Sequence, residues 1–203
     1  MVTGAAADYA RGMSGLIPYL LFPGNAAEAL GYYRDVFGGE LQLMDYASAG
    51  RHDGPGDAVA HGQLGGPVEL AGADAGADDD AVQMSGMFLS LLGTADPGTL
   101  TRWYDELSGG GRVIDPLQQR PWGDVDGTLV DRYGIRWLIG FHPEDCPETP
   151  GSRRDPLLPA QVRGGLGGKA GSRGQEEEEA NSRWRRCTPS RSWSSPSAYD
   201  MRM

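Results

Sequence analysis

Cysteine is rare in this chain and long apolar runs are missing. The two cysteines, Cys146 and Cys187, form no CxxC pair and have no metal-ligand spacing around them. We therefore expect no disulfide framework, as is typical of a reducing compartment. The longest apolar stretch, residues 16–22, is far too short to cross a membrane. Residues 1–15 do not resemble a signal peptide. These features predict a cytoplasmic protein with no membrane segment.

Basic residues are scarce in the first 141 positions. This stretch carries 8 Lys and Arg against 19 Asp and Glu, a net charge of −11, whereas the remainder carries 10 against 9, or +1. An acidic surface without a basic stripe repels phosphate backbones, so we do not expect nucleic acid as a partner. Acidity can attract cationic ligands, and it can also simply keep a surface solvated.

An apolar strand and a capped amphipathic helix begin the organised part of the chain. Residues 16–22 are predicted to form a buried strand, Asn25 the N-cap of the helix, and Glu28 its capping-box partner. Gly38 and Gly39 are predicted to end this helix. The apolar face of the helix has the required spacing at Leu30, Tyr33 and Phe37.

The same arrangement returns 71 residues later. Residues 87–92 form an apolar run, Asp96 is a predicted N-cap, and Pro97 stands at the first helical position. Gly109 and Gly110 then end the helix. Because strand, helix and stop recur in register, the sequence predicts two copies of one supersecondary unit.

Strand-like segments follow each helix, which completes a βαβββ pattern in both halves. The predicted fold class is α+β, with two βαβββ modules that form a curved mixed sheet with a central cleft and helices outside. The modules span residues 16–74 and 84–141, within one domain at 16–141 and behind a flexible N-terminus at 1–15. One such unit cannot close a core alone, so the two are expected to pack together.

The pattern stops at about His142. Residues 142–203 are dense in Gly, Arg, Ser and Pro, with a run of four Glu at 176–179 followed by the sequence RWRRC. This composition cannot bury enough apolar surface to offset chain entropy, so we predict a disordered tail. The tail is either a genuine flexible appendage or the product of a shifted reading frame.

Three stretches carry a resemblance to a known family. IPYLLFPGNAAEALGYYRDVFGGEL resembles the first strand and helix of PhnB-like proteins, a branch of the glyoxalase and bleomycin-resistance (vicinal oxygen chelate) superfamily. AVAHGQLGGPVELAGAD resembles their third and fourth strands, and RPWGDVDGTLVDRYGIRWLIGF their closing hairpin. The resemblance implies paired βαβββ modules, a homodimer and a cleft for a small molecule.

Enzymes of this superfamily hold a divalent metal in the cleft. The ligands are His, Gln or Glu on the first and last strands of each module, and the metal acts as a Lewis acid. The matching positions here are Pro18, Gly86 or Met87, Leu138 and Glu69. Since only Glu69 offers a carboxylate, the resemblance implies that the usual metal centre is missing, and no cofactor is predicted.

Five residues are candidates for the cleft. Glu69 could act as a catalytic general base, or it could be a strand residue that points to solvent. His61 could bind a ligand by a hydrogen bond, or be structural. Trp122 and Trp137 could form flat walls of the cleft, or they could pack in the core, which the sequence favours for Trp137. Gln119 is assigned to the mouth of the cleft only because of its position in the sequence, shortly before Trp122.

Two classes of function remain open. The favoured one is a small-molecule-binding protein similar to the bleomycin-resistance members, which sequester a cationic drug in a metal-free cleft. The alternative is a metal-dependent lyase, isomerase or dioxygenase-like enzyme of the same superfamily, for which Glu69 would be required.

Overall fold

The computed structural model describes residues 15–145. The predicted flexible N-terminus and disordered tail lie outside these residues, except that residues 142–145 continue the domain into a short 3-10 helix, Pro143–Asp145. None of the helices in the described part is long and apolar enough to cross a membrane.

The first half of the domain contains β1 (Tyr19–Phe22), α1 (Ala26–Phe37), β2 (Glu40–Asp45), β3 (Val59–Gly65) and β4 (Leu70–Asp74). The second half contains β5 (Leu89–Leu92), α2 (Pro97–Ser108), β6 (Arg112–Gln119), β7 (Val125–Val130) and β8 (Arg136–Phe141).

The two halves share one topology. The first sheet has the strand order β1-β4-β3-β2 and the second the order β5-β8-β7-β6, with the first and last strand of each module parallel and the other neighbours antiparallel. The predicted α+β fold of two βαβββ modules is therefore confirmed. Within residues 15–145 the expected curved sheet takes the form of two separate four-stranded sheets, neither of them closed.

The two helices are capped in different ways. Asp96 accepts a hydrogen bond from the Thr99 backbone N–H at 3.0 Å, which confirms the predicted N-cap of α2. Asn25 lies at the N-cap position of α1, but its side chain makes no capping bond. Asp74, at the end of β4, instead accepts from the Ala26 N–H at 2.8 Å. The predicted capping box at α1 is therefore wrong, because a carboxylate from a distant strand replaces the local cap.

The helix-covered sides of both sheets meet in a single core. Aromatic side chains from α1, α2 and β8 pack together there: the ring of Phe37 is edge-on to Trp103, with centroids 5.2 Å apart, and tilted against Trp137, with centroids 5.4 Å apart. A buried hydrogen bond joins Tyr33 of α1 to Asp131 in the turn between β7 and β8. The modules are thus held together through their helices, and the opposite side of each sheet is left uncovered by its own helix.

Strand alternation decides which side chains reach these uncovered sides. In β1, Leu20 and Phe22 are buried beneath α1, so Tyr19 and Leu21 lie on the other side. We call this side of the first sheet the first open face; by strand register it also carries Gln42, Met44, His61, Gln63, Ala71 and Ala73. The corresponding side of the second sheet, the second open face, carries Phe88, Ser90, Leu92, Asp126, Thr128, Arg136 and Leu138.

Candidate functional site

A tyrosine–histidine pair occupies the first open face. Tyr19 Oη lies 3.1 Å from His61 Nδ1, and the two rings stack with centroids 5.6 Å apart. Their strands, β1 and β3, are separated by β4, so the tyrosine ring must lie across β4 to reach the histidine. This is possible because β4 presents only Ala71 and Ala73 on this face. The side chains of Tyr19 and His61 therefore pack over two small residues, Ala71 and Ala73.

Tyr19 is a residue that the sequence reasoning missed. The sequence alignment assigned the first-strand ligand position to Pro18, but Pro18 precedes β1 and by alternation lies on the same side as Leu20. The residue of β1 that projects onto the first open face is therefore Tyr19. Burial raises the pKa of the Tyr19 hydroxyl, an effect that the positive charge of Arg51 opposes. The phenol is therefore a protonated hydrogen-bond donor at neutral pH. The burial alternation of β1 is the signal that could have found it.

Glu69 lies on the same face but away from the pair. It is half-buried immediately before β4, and alternation with Ala71 places it on the first open face. Leu70 stands opposite Leu64 in the β3–β4 ladder, so Glu69 is about four residues, or about 13 Å, from the row of His61. The structure therefore does not bring Glu69 and His61 together as a catalytic pair.

A charged cluster lies on the second open face. Arg120, which is largely buried, bridges two carboxylates: its Nη2 lies 2.6 Å from Asp126 Oδ1 and also contacts Asp115. Gln118 donates a hydrogen bond to Asp115 Oδ1 at 2.8 Å. One guanidinium thus orients two aspartates, and the cluster keeps a net negative charge.

A pocket of about 440 Å³ opens beside this cluster, at the end of the second open face. Its apolar wall is formed by Leu92, Leu138 and the indole of Trp122, which is 69% exposed. Three carboxylates line the same pocket, those of Asp124, Asp126 and Asp145. An exposed aromatic face next to several carboxylates is an arrangement that suits an organic cation. We call this site the Trp122 pocket.

The two remaining candidates do not reach an open face. Trp137 is 1% exposed in the core and donates its indole N–H to Asp131 Oδ2 at 2.8 Å. Its expected role in ligand contact is therefore corrected to core packing. Gln119 stands opposite Val125, a core residue, and its amide reaches the Gly123 carbonyl at 3.5 Å. Alternation places Gln119 on the helix-covered side of the sheet and the neighbouring Gln118 on the second open face.

A larger pocket, of about 530 Å³, lies at the N-terminus of α1, away from both open faces. Three of its four carboxylates have partners: Asp74 binds two backbone N–H groups, Asp53 forms an ion pair with Arg51, and Glu28 accepts from Tyr133 Oη. Most of its carboxylates thus hold the fold together, and it has no exposed aromatic wall like that of Trp122, so we place the candidate site on the open faces.

The four positions that match the superfamily's metal ligands do not provide a complete ligand set, since only Glu69 among them has a coordinating side chain. A single ion needs ligands that converge within a few ångströms of one another. The first open face carries His61 and Glu69, which lie about 13 Å apart along the sheet, and also the amides of Gln42 and Gln63. The last-strand position of the second module is Leu138, opposite Ser90 of β5.

Comparison with known proteins identifies the family. The model of the Glyoxalase/Bleomycin resistance protein/Dioxygenase superfamily matches residues 15–139, which are more than half of the chain. The chain therefore belongs to this superfamily, and the resemblance found in the sequence is confirmed.

Individual relatives agree with this assignment. The protein YjdN of Escherichia coli K12 is 28% identical over 141 residues, which are 61% of this chain and 92% of YjdN. The crystal structure of PA1353 from Pseudomonas aeruginosa is 27% identical, with a TM-score of 0.54, and the match covers 64% of this chain and 98% of PA1353. The PhnB protein from Bacillus cereus, 20% identical with a TM-score of 0.51 over 63% and 99% of the chains, shows the same fold.

Proposed function

We propose that this protein is a small-molecule-binding member of its superfamily, of the PhnB-like type, which works without the usual metal centre. The observation that carries the proposal is the Trp122 pocket, in which an exposed indole and three carboxylates surround a space of about 440 Å³. A pocket of this size suits a small ligand or one part of a larger one.

The charge of the domain indicates the class of ligand. Residues 15–145 carry 7 Arg and no Lys against 20 Asp and Glu, a net charge of −13. A cation with an apolar body would place its charge near Asp124 and Asp145 and its apolar part against Trp122 and Leu92. The negative potential would also speed the arrival of such a ligand at low ionic strength.

A second copy of the chain completes the proposed binding unit. The open faces expose apolar side chains that a lone soluble domain would normally cover. The exposed residues on or beside these faces are Tyr19, Met87, Phe88, Leu92 and Trp122. We propose a homodimer, located in the cytoplasm, in which the partner covers these faces and encloses the ligand. Light scattering at micromolar concentration tests it, and a monomeric mass would contradict it.

Isothermal titration calorimetry with a cationic glycopeptide of the bleomycin type, at low salt, tests the binding function. We expect saturable heat in the wild type and at least a tenfold weaker affinity in Trp122→Ala, because the aromatic wall is removed. Val113→Ala is the matched control: Val113 is also exposed, but it does not line the pocket. No heat in the wild type would count against the drug-binding form of the proposal.

The alternative function is a lyase, isomerase or dioxygenase-like activity on the first open face. It is supported by the Tyr19–His61 pair and by the half-buried Glu69 on the same face. Isomerisation of a hemithioacetal is a suitable assay. If Glu69→Gln leaves every detected turnover equal to that of the surface control Asp35→Asn, Glu69 is not the base and this alternative fails.

A further inference from the structure

We propose that Arg136 and Arg112 form a carboxylate-binding subsite on the second open face, so that the ligand of this protein is dipolar. Its cationic end would lie in the Trp122 pocket and its carboxylate at the opposite end of the same face. The cationic end rests on the function proposed above, whereas the arginine subsite rests on the geometry of the face itself.

Arg136, the first residue of β8, is half-buried and has no acidic partner within residues 15–145. Its guanidinium carbon lies 4.4 Å from the centre of the Phe88 ring. Its buried Nε has no hydrogen-bond partner in the described structure, and its Nη1 reaches the Met84 carbonyl only at 3.5 Å. A half-buried charge without a partner is costly. With one flat side covered by Phe88, the guanidinium still presents its N–H edge, which is the part that matches a carboxylate.

Arg112 lies in the same row of the second sheet. Val130 of β7 stands opposite Arg136 of β8 on one side and opposite Arg112 of β6 on the other, so that all three side chains share the second open face. Because neighbouring strands are about 4.8 Å apart, the two arginine backbones are separated by about 10 Å. Two side chains of this length can converge above Val130 on one carboxylate.

The missing acidic partners do not reflect a lack of acidic residues, since residues 15–145 carry 20 Asp and Glu. Asp131, the acidic residue nearest to Arg136 in the sequence, is buried on the core side and accepts four hydrogen bonds there. Glu106 of α2 pairs with another arginine on the helix side. Four of the seven arginines in residues 15–145 do form ion pairs: Arg34, Arg51, Arg102 and Arg120.

The arginine row is continuous with the Trp122 pocket. Leu138, which lines that pocket, is the next residue after Arg136 on this side of β8. Ser90 and Thr128 stand beside Leu138 on the two neighbouring strands and add hydroxyl groups to the face. Gly140, which also lines the pocket, is four residues from Arg136, or about 13 Å along the strand. A ligand that reaches both ends of the face would therefore carry its two charges on the order of 13 Å apart.

Two carboxylates at the pocket end are left for the cation. Asp126 is already paired with Arg120, which also contacts Asp115, so neither of these is counted here. Asp124 has only a long contact, 3.7 Å, with the His142 ring. No ion pair of Asp145 is found within the described part of the chain. The cationic end would therefore lie near Asp124 and Asp145, beside the indole of Trp122.

Matched ligands test the subsite in the full-length protein. An ω-trimethylammonio carboxylic acid carries both charges, whereas its methyl ester keeps the cation and the chain but loses the anion. Calorimetry at low salt, over a series of chain lengths, should give an affinity about fivefold or more higher for the acid than for the ester once the chain spans the face. Shorter acids should lose this preference, because their carboxylate cannot reach Arg136.

Arg136→Gln should remove the preference for the acid and leave the affinity for the ester within about twofold of the wild type. Arg132→Gln is the matched control: it removes the same charge near the same end of the sheet, but Arg132 stacks on Tyr32 on the helix side and should not affect the preference. Arg136→Lys, which keeps the charge without the planar fork, should retain only part of it. Retained binding of the ester shows that each variant is folded, and the acid–ester comparison in the wild type needs no variant.

Equal affinities for acid and ester in the wild type, or the same loss of preference in Arg132→Gln as in Arg136→Gln, would overturn the subsite. So would a failure of the acid to bind at any chain length. A loss of the dimer in Arg136→Gln, measured by light scattering, together with no preference for the acid in the wild type, would mean that a carboxylate of the partner occupies Arg136.

The same titrations separate this inference from the proposed function. If acid and ester bind equally and Trp122→Ala weakens both, the Trp122 pocket stands and the arginine subsite is overturned. If the acid alone binds, through Arg136 and with no effect of Trp122→Ala, the subsite stands and the cationic end fails together with the proposed use of the Trp122 pocket.

Discussion

Tyr33 on α1 donates a hydrogen bond to Asp131 Oδ2 at 2.8 Å and so ties the helix of the first module to the closing hairpin of the second. Asp131 is 4% exposed and also accepts from the Trp137 indole and from the backbone N–H groups of Tyr133 and Ile135. Four donors compensate the buried charge, which would be costly without them. Asp131 is therefore a buried polar link between the modules, beside the aromatic contacts of Phe37 with Trp103 and Trp137.

Removal of the Tyr33 hydroxyl should destabilise the domain. We expect Tyr33→Phe to lower the free energy of unfolding by about 1.5–3 kcal/mol, because the lost bond is made to a buried charged group. Tyr32→Phe is the control: that hydroxyl donates to the Glu106 carbonyl at the surface, and its loss should cost under about 1 kcal/mol. Urea denaturation measures both, and equal losses would show that the Asp131 contact has no special role.

The domain should become less stable at alkaline pH. Burial first, and then the charge of Asp131, raise the pKa of Tyr33 far above its usual range. The unfolded chain ionises tyrosine near pH 10, so the stability linked to Tyr33 is complete below pH 10 and is lost as the pH rises above it. We expect the free energy of unfolding to fall between pH 9 and 11, less steeply in Tyr33→Phe.

Other tyrosines contribute to the same window, since the pKa of Tyr133 is raised to about 12 by burial and by its hydrogen bond to Glu28. Most of their contribution is shared by the wild type and Tyr33→Phe, so the difference between the two curves reports Tyr33 together with its coupling to the neighbouring Tyr32 and Tyr133. Parallel curves would contradict the prediction.

The cap of α1 should reside in Asp74 and not in Asn25. Asp74→Ala leaves the N–H groups of Ala26 and Val59 without their acceptor, so we expect a loss of about 2–4 kcal/mol in the free energy of unfolding. Asn25→Ala should cost under about 0.5 kcal/mol, because its buried Oδ1 has no partner in the described structure. Urea titrations followed by circular dichroism measure the loss of unfolding free energy in each variant. A larger loss in Asn25→Ala than in Asp74→Ala would show that Asn25 is the cap of α1.

A side chain at Gly72 should disrupt the first sheet. A Cβ there would lie 2.6 Å from the Leu20 carbonyl oxygen, which belongs to the backbone of the neighbouring strand and cannot move aside. We expect Gly72→Ala to lower the melting temperature by several degrees, as overpacking costs about 1–3 kcal/mol. Gly31→Ala, on α1 with open space around it, should be neutral or stabilising, since alanine favours a helix. An unchanged melting temperature in Gly72→Ala would mean that β1 and β4 pair less closely than the 2.6 Å approach to the Leu20 carbonyl indicates.

Untagged protein should retain no stoichiometric metal after incubation with excess zinc, nickel and manganese. The reason is the donor set: Leu138 and Tyr19 stand where hard ligands are needed, and His61 is far from Glu69. Inductively coupled plasma mass spectrometry measures the content. About one ion per chain would contradict the prediction and favour the enzyme.

Much of the fold could be predicted from the sequence because its signals are local. Three of these signals depend only on residues close together in the sequence: the repeat of strand, helix and helix-ending glycines, the Asp96 cap followed by Pro97, and the apolar faces of both helices. The strongly acidic domain could also be read from the sequence, whereas the sequence left open whether Trp122 packs in the core or lies at the surface, where it is 69% exposed.

The tertiary structure decided what local signals do not contain. Asp74 displaces Asn25 as the cap because strand pairing brings β4 to the N-terminus of α1, 48 residues away. Trp137 is placed in the core, and Tyr19 on the open face, by the register of the strands, in which a shift of one residue reverses every side chain. Periodicity sets the elements, but only long-range pairing sets which of their sides faces the helices and which remains open to a ligand.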